Sequence, residues 1–232
     1  MDPRRKTVKR LVEEYPWLPY VLPFVVFLLL LGIAPYLTIL GRWEFPLRVA
    51  VLAAVIYVFS WNVVDFRVKN WAGSIAIGLA VFAIWIGPDA LIPGYRQHWL
   101  FQNAITGRLK NSIPVDLLSD PLVLVLRSVR AVLIVPIVEE LFWRAWLMRW
   151  IINVDFRSVP LGTYNTQAFW LTAILFASEH GPYWEVGLIT GLIYNWWMIR
   201  TKSLADCILM HAVTNGALCG YVLLTSKWEY WM

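Results

Sequence analysis

The chain has 232 residues, of which 59% are hydrophobic and 15 are tryptophan. A soluble domain of this length could not keep such a surface in solution, so the composition excludes the soluble classes and predicts an integral membrane protein. The formal net charge of +5 lies in short clusters between apolar runs, which argues against nucleic acid as a partner. Cys207 and Cys219 are the only cysteines, so neither a disulfide framework nor a CxxC metal site can form.

The first part of the chain contains three apolar runs, at residues 17–40, 47–64 and 71–87, each about as long as a membrane-spanning helix. Basic residues precede the first run, and this excess predicts a cytoplasmic N-terminus. The first run is too long for the core of a signal peptide and lacks a small-residue cleavage site, so we expect it to be retained. The basic residues are Arg4, Arg5, Lys6, Lys9 and Arg10.

A polar segment at residues 88–121 separates these runs from the rest of the chain. It mixes glycine, proline, asparagine and aspartate with short apolar pieces, which is typical of a long extramembrane loop or of a helix that lies on the membrane surface. We interpret His98 as a residue of this loop rather than as a ligand. The segment divides the chain into an N-terminal three-span region, residues 1–121, and a C-terminal helix bundle, residues 122–232.

The second part contains four further apolar runs, at residues 122–152, 167–180, 183–199 and 203–225. Pro136 interrupts the first of them and is expected to kink that helix. The two middle runs are short and meet at Gly181 and Pro182, so either they tilt or their junction lies within the membrane. The sequence therefore predicts an all-α, polytopic transmembrane helix bundle with about seven spans, within a range of six to eight.

Three charged residues lie close together just after Pro136, although an ionisable group at bilayer depth costs at least about 2.5–3.5 kcal/mol. Glu140 and Arg144 are four residues apart on one helix face, with the acid before the base, and can form a pair. Glu139 lies about 100° further round the helix and is free to face another element. The spare carboxylate indicates a functional site.

Two more polar pairs occur at the same four-residue spacing in later runs. Phe176 and His180 lie at the end of one run, and His211 and Asn215 lie on one face of the last run. Each histidine alone is most simply a residue that makes one hydrogen bond inside the bundle. Together, a free carboxylate, two imidazoles and an amide are the groups needed to activate a water molecule and to hold an oxyanion.

The three motifs follow one another in a fixed order within about eighty residues, and they are Glu139-Glu140-x-x-x-Arg144, Phe176-x-x-x-His180 and His211-x-x-x-Asn215. With these motifs the chain resembles the CPBP (Abi) intramembrane proteases, which are relatives of the type II CAAX prenyl endopeptidases. The resemblance covers about residues 122–224. It implies that the C-terminal bundle is catalytic and that the chain is an intramembrane endopeptidase.

The resemblance also implies a role for each motif residue. Glu139 is expected to act as the general base, and His180 is expected to help it polarise the attacking water. His211 and Asn215 are expected to stabilise the tetrahedral oxyanion. The supporting residues implied by the motifs are Glu140, Arg144 and Phe176.

A zinc site is the competing chemistry, because Glu139, His180 and His211 could supply one carboxylate and two histidines. The sequence contains no H-E-x-x-H helix, and Asn215 is a poor zinc ligand. We therefore predict that water is activated without a metal or another cofactor.

The predicted partners are the lipid bilayer and a membrane-bound or lipidated peptide or protein, and the predicted location is the cell (inner) membrane, with a multi-pass topology. Two other classes stay open from sequence. One is a proton-coupled transporter in which Glu139, His180 and His211 relay protons. The other is a non-catalytic membrane partner protein that has kept the scaffold. No internal repeat of the two-halves kind is visible, which argues against a transporter.

Overall fold

The computed structural model describes the backbone of residues 3–231 and the side chains of residues 7–231. Met1, Asp2 and Met232, together with the side chains of Arg4, Arg5 and Lys6 that entered the orientation prediction, lie outside the described residues. Within residues 3–231 the chain forms eight main helical segments and no strand. They are α1 Pro3–Glu14, α2 Leu18–Gly32, α3 Ala34–Val63, α4 Trp71–Leu91, α5 Pro121–Trp150, α6 Thr166–Ser178, α7 Trp184–Thr201 and α8 Leu204–Thr225. The predicted all-α class is confirmed.

Four of the described helices, α3, α4, α5 and α8, are long and apolar enough to cross a membrane. The bent pair Thr7–Glu14 and Leu18–Gly32, with 99° between its two helices, makes a fifth if it is one span. The chain is therefore a multi-pass membrane protein, and α6 and α7 would complete the predicted seven spans. Helix α6 has 13 residues. Such a helix is about 20 Å long, shorter than a hydrocarbon core of about 30 Å, so the crossing of α6 stays a prediction.

Polar side chains cap the helices that the sequence predicts to begin near residues 71, 122, 167 and 203. In each case a side-chain oxygen accepts a hydrogen bond from a backbone N–H of the first turn, which has no partner within the helix. The capping residues are Asn70, Asp120, Asn165 and Ser203. Each observed helix begins within one residue of its predicted start.

One connection differs from the simplest interpretation of the sequence, and a second agrees with one of two predicted alternatives. The second span was predicted at residues 47–64, whereas α3 is helical from Ala34, with a break at Gly41. The φ of Gly41 is 52°, in the left-handed region that glycine adopts at little cost. Residues 92–120 contain two single-turn 3-10 segments and no longer helix, so a loop rather than a surface helix joins α4 to α5. His98 is exposed in this loop, as expected.

Small residues allow two helix pairs to approach closely. A Cβ on Gly78 of α4 would lie 2.6 Å from the backbone oxygen of Met210 in α8. A Cβ on Gly191 of α7 would lie 3.1 Å from the Cα of Ala173 in α6. Thr214 of α8 also donates a hydrogen bond to the Gly78 carbonyl at 2.9 Å. Close contacts and interhelical hydrogen bonds of this kind hold helices together in lipid, which is itself as apolar as leucine.

The contact at Gly78 makes a prediction about stability. We expect Gly78→Ala to lower the free energy of unfolding by about 1–3 kcal/mol, because the new methyl group must push α4 away from the backbone of α8. Thermal unfolding in detergent measures this effect. Gly87→Ala is the matched control in the same helix, since nothing lies within 4 Å of its Cβ position. Equal melting temperatures for the two variants would contradict the close packing.

Candidate active site

The Glu140 carboxylate is fully buried and connects α5 to α8. Its Oε1 accepts a hydrogen bond from Nη1 of Arg144 at 3.2 Å, which is the predicted pair, and lies 2.9 Å from Nδ1 of His211. Because an ionised carboxylate can only accept, the proton of the second contact belongs to Nδ1. Glu140 therefore orients the His211 ring and leaves only Nε2 available to a ligand. The sequence did not predict this contact between Glu140 and His211.

Arg144 is also fully buried and connects α5 to α6 and α7. Its Nε donates to Oδ1 of Asn195 at 3.2 Å, and Nδ2 of Asn195 donates to the Phe169 carbonyl at 2.8 Å. The guanidinium carbon lies 4.6 Å from the centre of the Phe176 ring, a cation–π contact. Four helices thus meet at one buried ion pair.

A cavity of about 460 Å³ lies beside this pair. All four residues that the resemblance implies as catalytic line it, namely Glu139, His180, His211 and Asn215. They come from α5, from the turn after α6 and from α8. Glu139 is 8% exposed, and its Oε2 is buried without a hydrogen-bond partner in the described chain. The structure therefore brings the four residues together around an unpaired carboxylate oxygen.

The His180 ring is held in one orientation by α6. Its Nδ1 lies 2.7 Å from the carbonyl oxygen of Phe176, one turn earlier. A carbonyl can only accept, so Nδ1 carries the proton and Nε2 carries the lone pair. The ring packs between Phe176 and Trp85 of α4, at centroid distances of 4.6 and 5.4 Å. Gly187 leaves the space that the ring needs, since a Cβ there would lie 3.1 Å from Cγ of His180.

A π-helical segment in α5 anchors Asn215. Residues Arg130–Ile134 form this segment directly before the α-helical stretch Val135–Glu140, which contains Pro136. The predicted proline interruption therefore takes the form of a π turn within a helical run that continues to Trp150. Nδ2 of Asn215 donates to the carbonyl of Ala131, inside the π turn, at 2.8 Å. Only one of the two amide hydrogens is used by this bond.

Arg96, in the loop between α4 and α5, holds the turn that follows His180. Its Nη1 donates to the Pro182 carbonyl and to Oε1 of Glu185, both at 2.6 Å, and its Nη2 donates to Asp89 at 3.0 Å. The junction is a single 3-10 turn, Gly181–Tyr183, in which Pro182 is buried. The choice between two tilted helices and a junction within the membrane stays a prediction.

The donors available to a metal are limited by the same hydrogen bonds. His180 and His211 each offer only Nε2, because each Nδ1 is bonded to an oxygen. Among the described residues, no group of three or more His, Cys, Asp or Glu side chains is arranged to hold a metal ion. The choice between metal-free chemistry and the zinc set Glu139, His180 and His211 stays a prediction.

The comparison with protein families gives one match, in the C-terminal part of the chain. A family model described as Rce1-like, type II CAAX prenyl endopeptidase, matches residues 121–217. The match supports the CPBP/CAAX protease-like family for this segment of the chain. It runs from the first residue of α5 into α8 and contains all three motifs, and it supports an endopeptidase of the CAAX-protease type. No curated protein and no solved structure matches the chain.

Several residues at the CAAX-protease-like site were not predicted from sequence. Asn195 could have been found as the one amide in the apolar helix α7, since an amide at bilayer depth needs a partner. Glu179, which precedes His180 in the sequence, also lines the cavity. Trp85 and the α2 residues Phe27 and Leu28 line it too. Nothing in their own helices marks these three, because an apolar residue facing a cavity looks like one facing lipid.

The buried ion pair makes a prediction about folding. We expect Glu140→Ala to lower the free energy of unfolding by about 3–5 kcal/mol, because Arg144 would be left as an uncompensated charge in the bundle. Glu13→Ala is the control, since Glu13 also pairs with a cation four residues away, Lys9, but on an exposed surface. Thermal unfolding in detergent compares the two variants. Similar melting temperatures would show that Glu140 does not hold the helices together.

Proposed function

We propose that the chain is an intramembrane endopeptidase of the CAAX-protease type that hydrolyses a peptide bond of a membrane-associated or lipidated protein. The observation that supports this most is the meeting of Glu139, His180, His211 and Asn215 at one cavity, with both imidazoles oriented through Nδ1. The family match at residues 121–217 supports the same reaction class.

In the proposed reaction, Glu139 acts as the general base. One proton of a water molecule passes to its unpaired carboxylate oxygen, while Nε2 of His180 accepts a hydrogen bond from the same water. The water oxygen bonds to the scissile carbonyl carbon, and the carbonyl electron pair moves to its oxygen. When this tetrahedral species collapses, the C–N bond breaks and the proton on Glu139 passes to the leaving amine. The products are a carboxylic acid and an amine, which become a carboxylate and an ammonium ion when the acid proton passes to the amine, and no further reactant is required.

The negative oxygen of the tetrahedral species would be stabilised by α8. Asn215 has one amide hydrogen left after its bond to Ala131. His211 can donate through Nε2 only when the ring is doubly protonated, because the Nδ1 proton is bonded to Glu140. Glu140 and Arg144 therefore act as positioning residues in this proposal.

The proposed substrate enters from the lipid. The cavity wall includes Phe27, Leu28 and Leu31 of α2, an apolar surface that suits a lipid group. We propose the cell (inner) membrane as the location, with the N-terminus in the cytoplasm.

The first test is Glu139→Gln. Purified protein in phosphatidylcholine vesicles is given a fluorescent peptide with a farnesylated cysteine four residues from its C-terminus, the position modified in CAAX proteins. We expect the variant to cleave it about 10²- to 10⁴-fold more slowly than wild type, because an amide cannot take the proton. The membrane peptidome of cells that express each form should change in the same direction.

Glu13→Gln is the control for this test, since it removes a carboxylate from an exposed surface. Equal cleavage by Glu139→Gln and wild type would contradict the proposed function. If the protein is a proton relay, Glu139→Gln should abolish pH-driven transport and leave the membrane peptide pattern unchanged. If it is a non-catalytic scaffold, neither transport nor the peptide pattern should change.

The second test is removal of metal. We propose that no metal takes part, so protein dialysed against a strong chelator should keep its cleavage rate within about a factor of two and contain less than one equivalent of zinc. Elemental analysis and the peptide assay measure these quantities. A loss of activity that added Zn²⁺ restores would instead support the set Glu139, His180 and His211.

A further inference from the structure

A second charged group, Arg130, lies in the wall of the same cavity. Its side chain is 7% exposed and belongs to α5, a membrane-spanning helix. It makes no hydrogen bond and no ion pair with any residue in 7–231, and its Nε is buried without a partner. Buried charges in proteins are normally paired, and an unpaired one in a membrane span is expensive. An anion bound in the cavity beside Arg130 would therefore be stabilised.

Within residues 7–231, no carboxylate forms a hydrogen bond or an ion pair with Arg130. The buried Glu44 is bonded to Arg48 at 2.6 Å and is not within hydrogen-bonding distance of Arg130. Arg127, one turn before Arg130, lines the same cavity and adds a second positive charge. Glu139 and Glu179 are the carboxylates of the cavity wall, so the cavity has both cationic and acidic residues in its lining.

The π turn explains how Arg130 and Glu139 share one wall. In a regular α-helix, residues nine apart lie about 180° from each other round the axis. The π turn at Arg130–Ile134 amounts to one inserted residue, which reduces this angle to about 80°. The nine residues correspond to about 13 Å along the axis. A peptide of three extended residues spans about 10 Å, and the two long side chains can cover the rest.

We propose that Arg130 binds the free C-terminal carboxylate of the substrate peptide and thereby sets which bond lies at Glu139. This inference rests on the proposed function. A guanidinium matches a carboxylate with two parallel hydrogen bonds, so the site would read the end of a chain rather than its middle. Arg130 is a specificity-determining residue in this scheme and takes no part in the bond cleavage.

A phospholipid phosphate is the other source of anionic oxygen atoms near a membrane protein. Arg130 lies nine residues, or about 13 Å, inside the start of α5. A headgroup would have to leave the interface to reach it, whereas the end of an inserted peptide reaches it from within the cavity. The geometry therefore favours the carboxylate.

The test compares one peptide in two forms. The farnesylated fluorescent peptide is prepared with a free C-terminal carboxylate and with a C-terminal carboxamide, and both are given to the protein in phosphatidylcholine vesicles. We expect wild type to cleave the acid about ten- to hundredfold more efficiently in kcat/KM. Arg130→Gln should reduce cleavage of the acid to the level of the amide and leave the amide unchanged, and Arg130→Lys should keep part of the preference.

Arg149→Gln is the matched control, since it also removes a buried arginine of α5, but one that donates to backbone carbonyls outside this cavity. It should keep the acid-to-amide ratio of wild type. An equal rate for acid and amide in wild type overturns the carboxylate site and leaves the protease intact. An effect of Arg130→Gln that is the same for both peptides, and that appears only when phosphatidylglycerol is added, overturns it in favour of a lipid headgroup.

Binding separates this inference from the proposed function. The two peptides are titrated into vesicles that contain Glu139→Gln, where cleavage does not interfere, and fluorescence anisotropy gives Kd. Tighter binding of the acid, lost in the double variant with Arg130→Gln, supports the carboxylate site even if wild type cleaves neither peptide. Equal Kd values for acid and amide overturn it.

Discussion

The bond between the Glu140 carboxylate and its two partners is the constraint on which the rest of the structure depends. A charge buried among apolar helices must be paired, and Glu140 is paired with Arg144 in its own helix and with His211 in α8. Arg144 in turn donates a hydrogen bond to Asn195 in α7 and makes a cation–π contact with the Phe176 ring in α6. Helix packing and the orientation of an imidazole at the cavity are therefore set by the same ion pair. This explains why two glutamates are adjacent: the Glu140 carboxylate joins the helices, and Glu139 is left unpaired at the cavity.

The π turn in α5 has an equally local origin and an equally wide effect. Proline cannot donate a backbone hydrogen bond and its ring crowds the preceding turn, so a wider turn just before Pro136 relieves the clash. The wider turn provides the Ala131 carbonyl with which Asn215 is bonded, and it rotates the first part of α5 relative to the second. Two arginines that regular helical spacing would put away from Glu139 thereby come to line the same cavity.

These two features also explain what could and could not be predicted from the sequence. Helix starts were predictable because the apolar runs begin where the helices begin, next to capping residues such as Asn70 and Ser203. The pairing of Glu140 with Arg144 was predictable from one-turn spacing. The contact of Glu140 with His211 joins residues 71 positions apart, and helical periodicity says nothing about which faces of two helices meet. Helical periodicity also could not predict that Arg130 and Glu139 line the same cavity, because it assumes a regular α-helix without a π turn.

The charged and the apolar residues of the cavity wall come from different parts of the chain. The carboxylates, imidazoles and guanidinium groups of its lining lie in the segment that matches the CAAX-protease-like family, whereas Phe27, Leu28 and Trp85 come from helices before residue 121. An apolar wall on that side keeps water from surrounding the carboxylates and imidazoles, and charges act more strongly on one another where water is excluded. Trp85 in addition packs on the His180 ring and donates from its indole nitrogen to Thr190 of α7. The N-terminal helices are therefore part of the site's electrostatics even though they carry none of its charges.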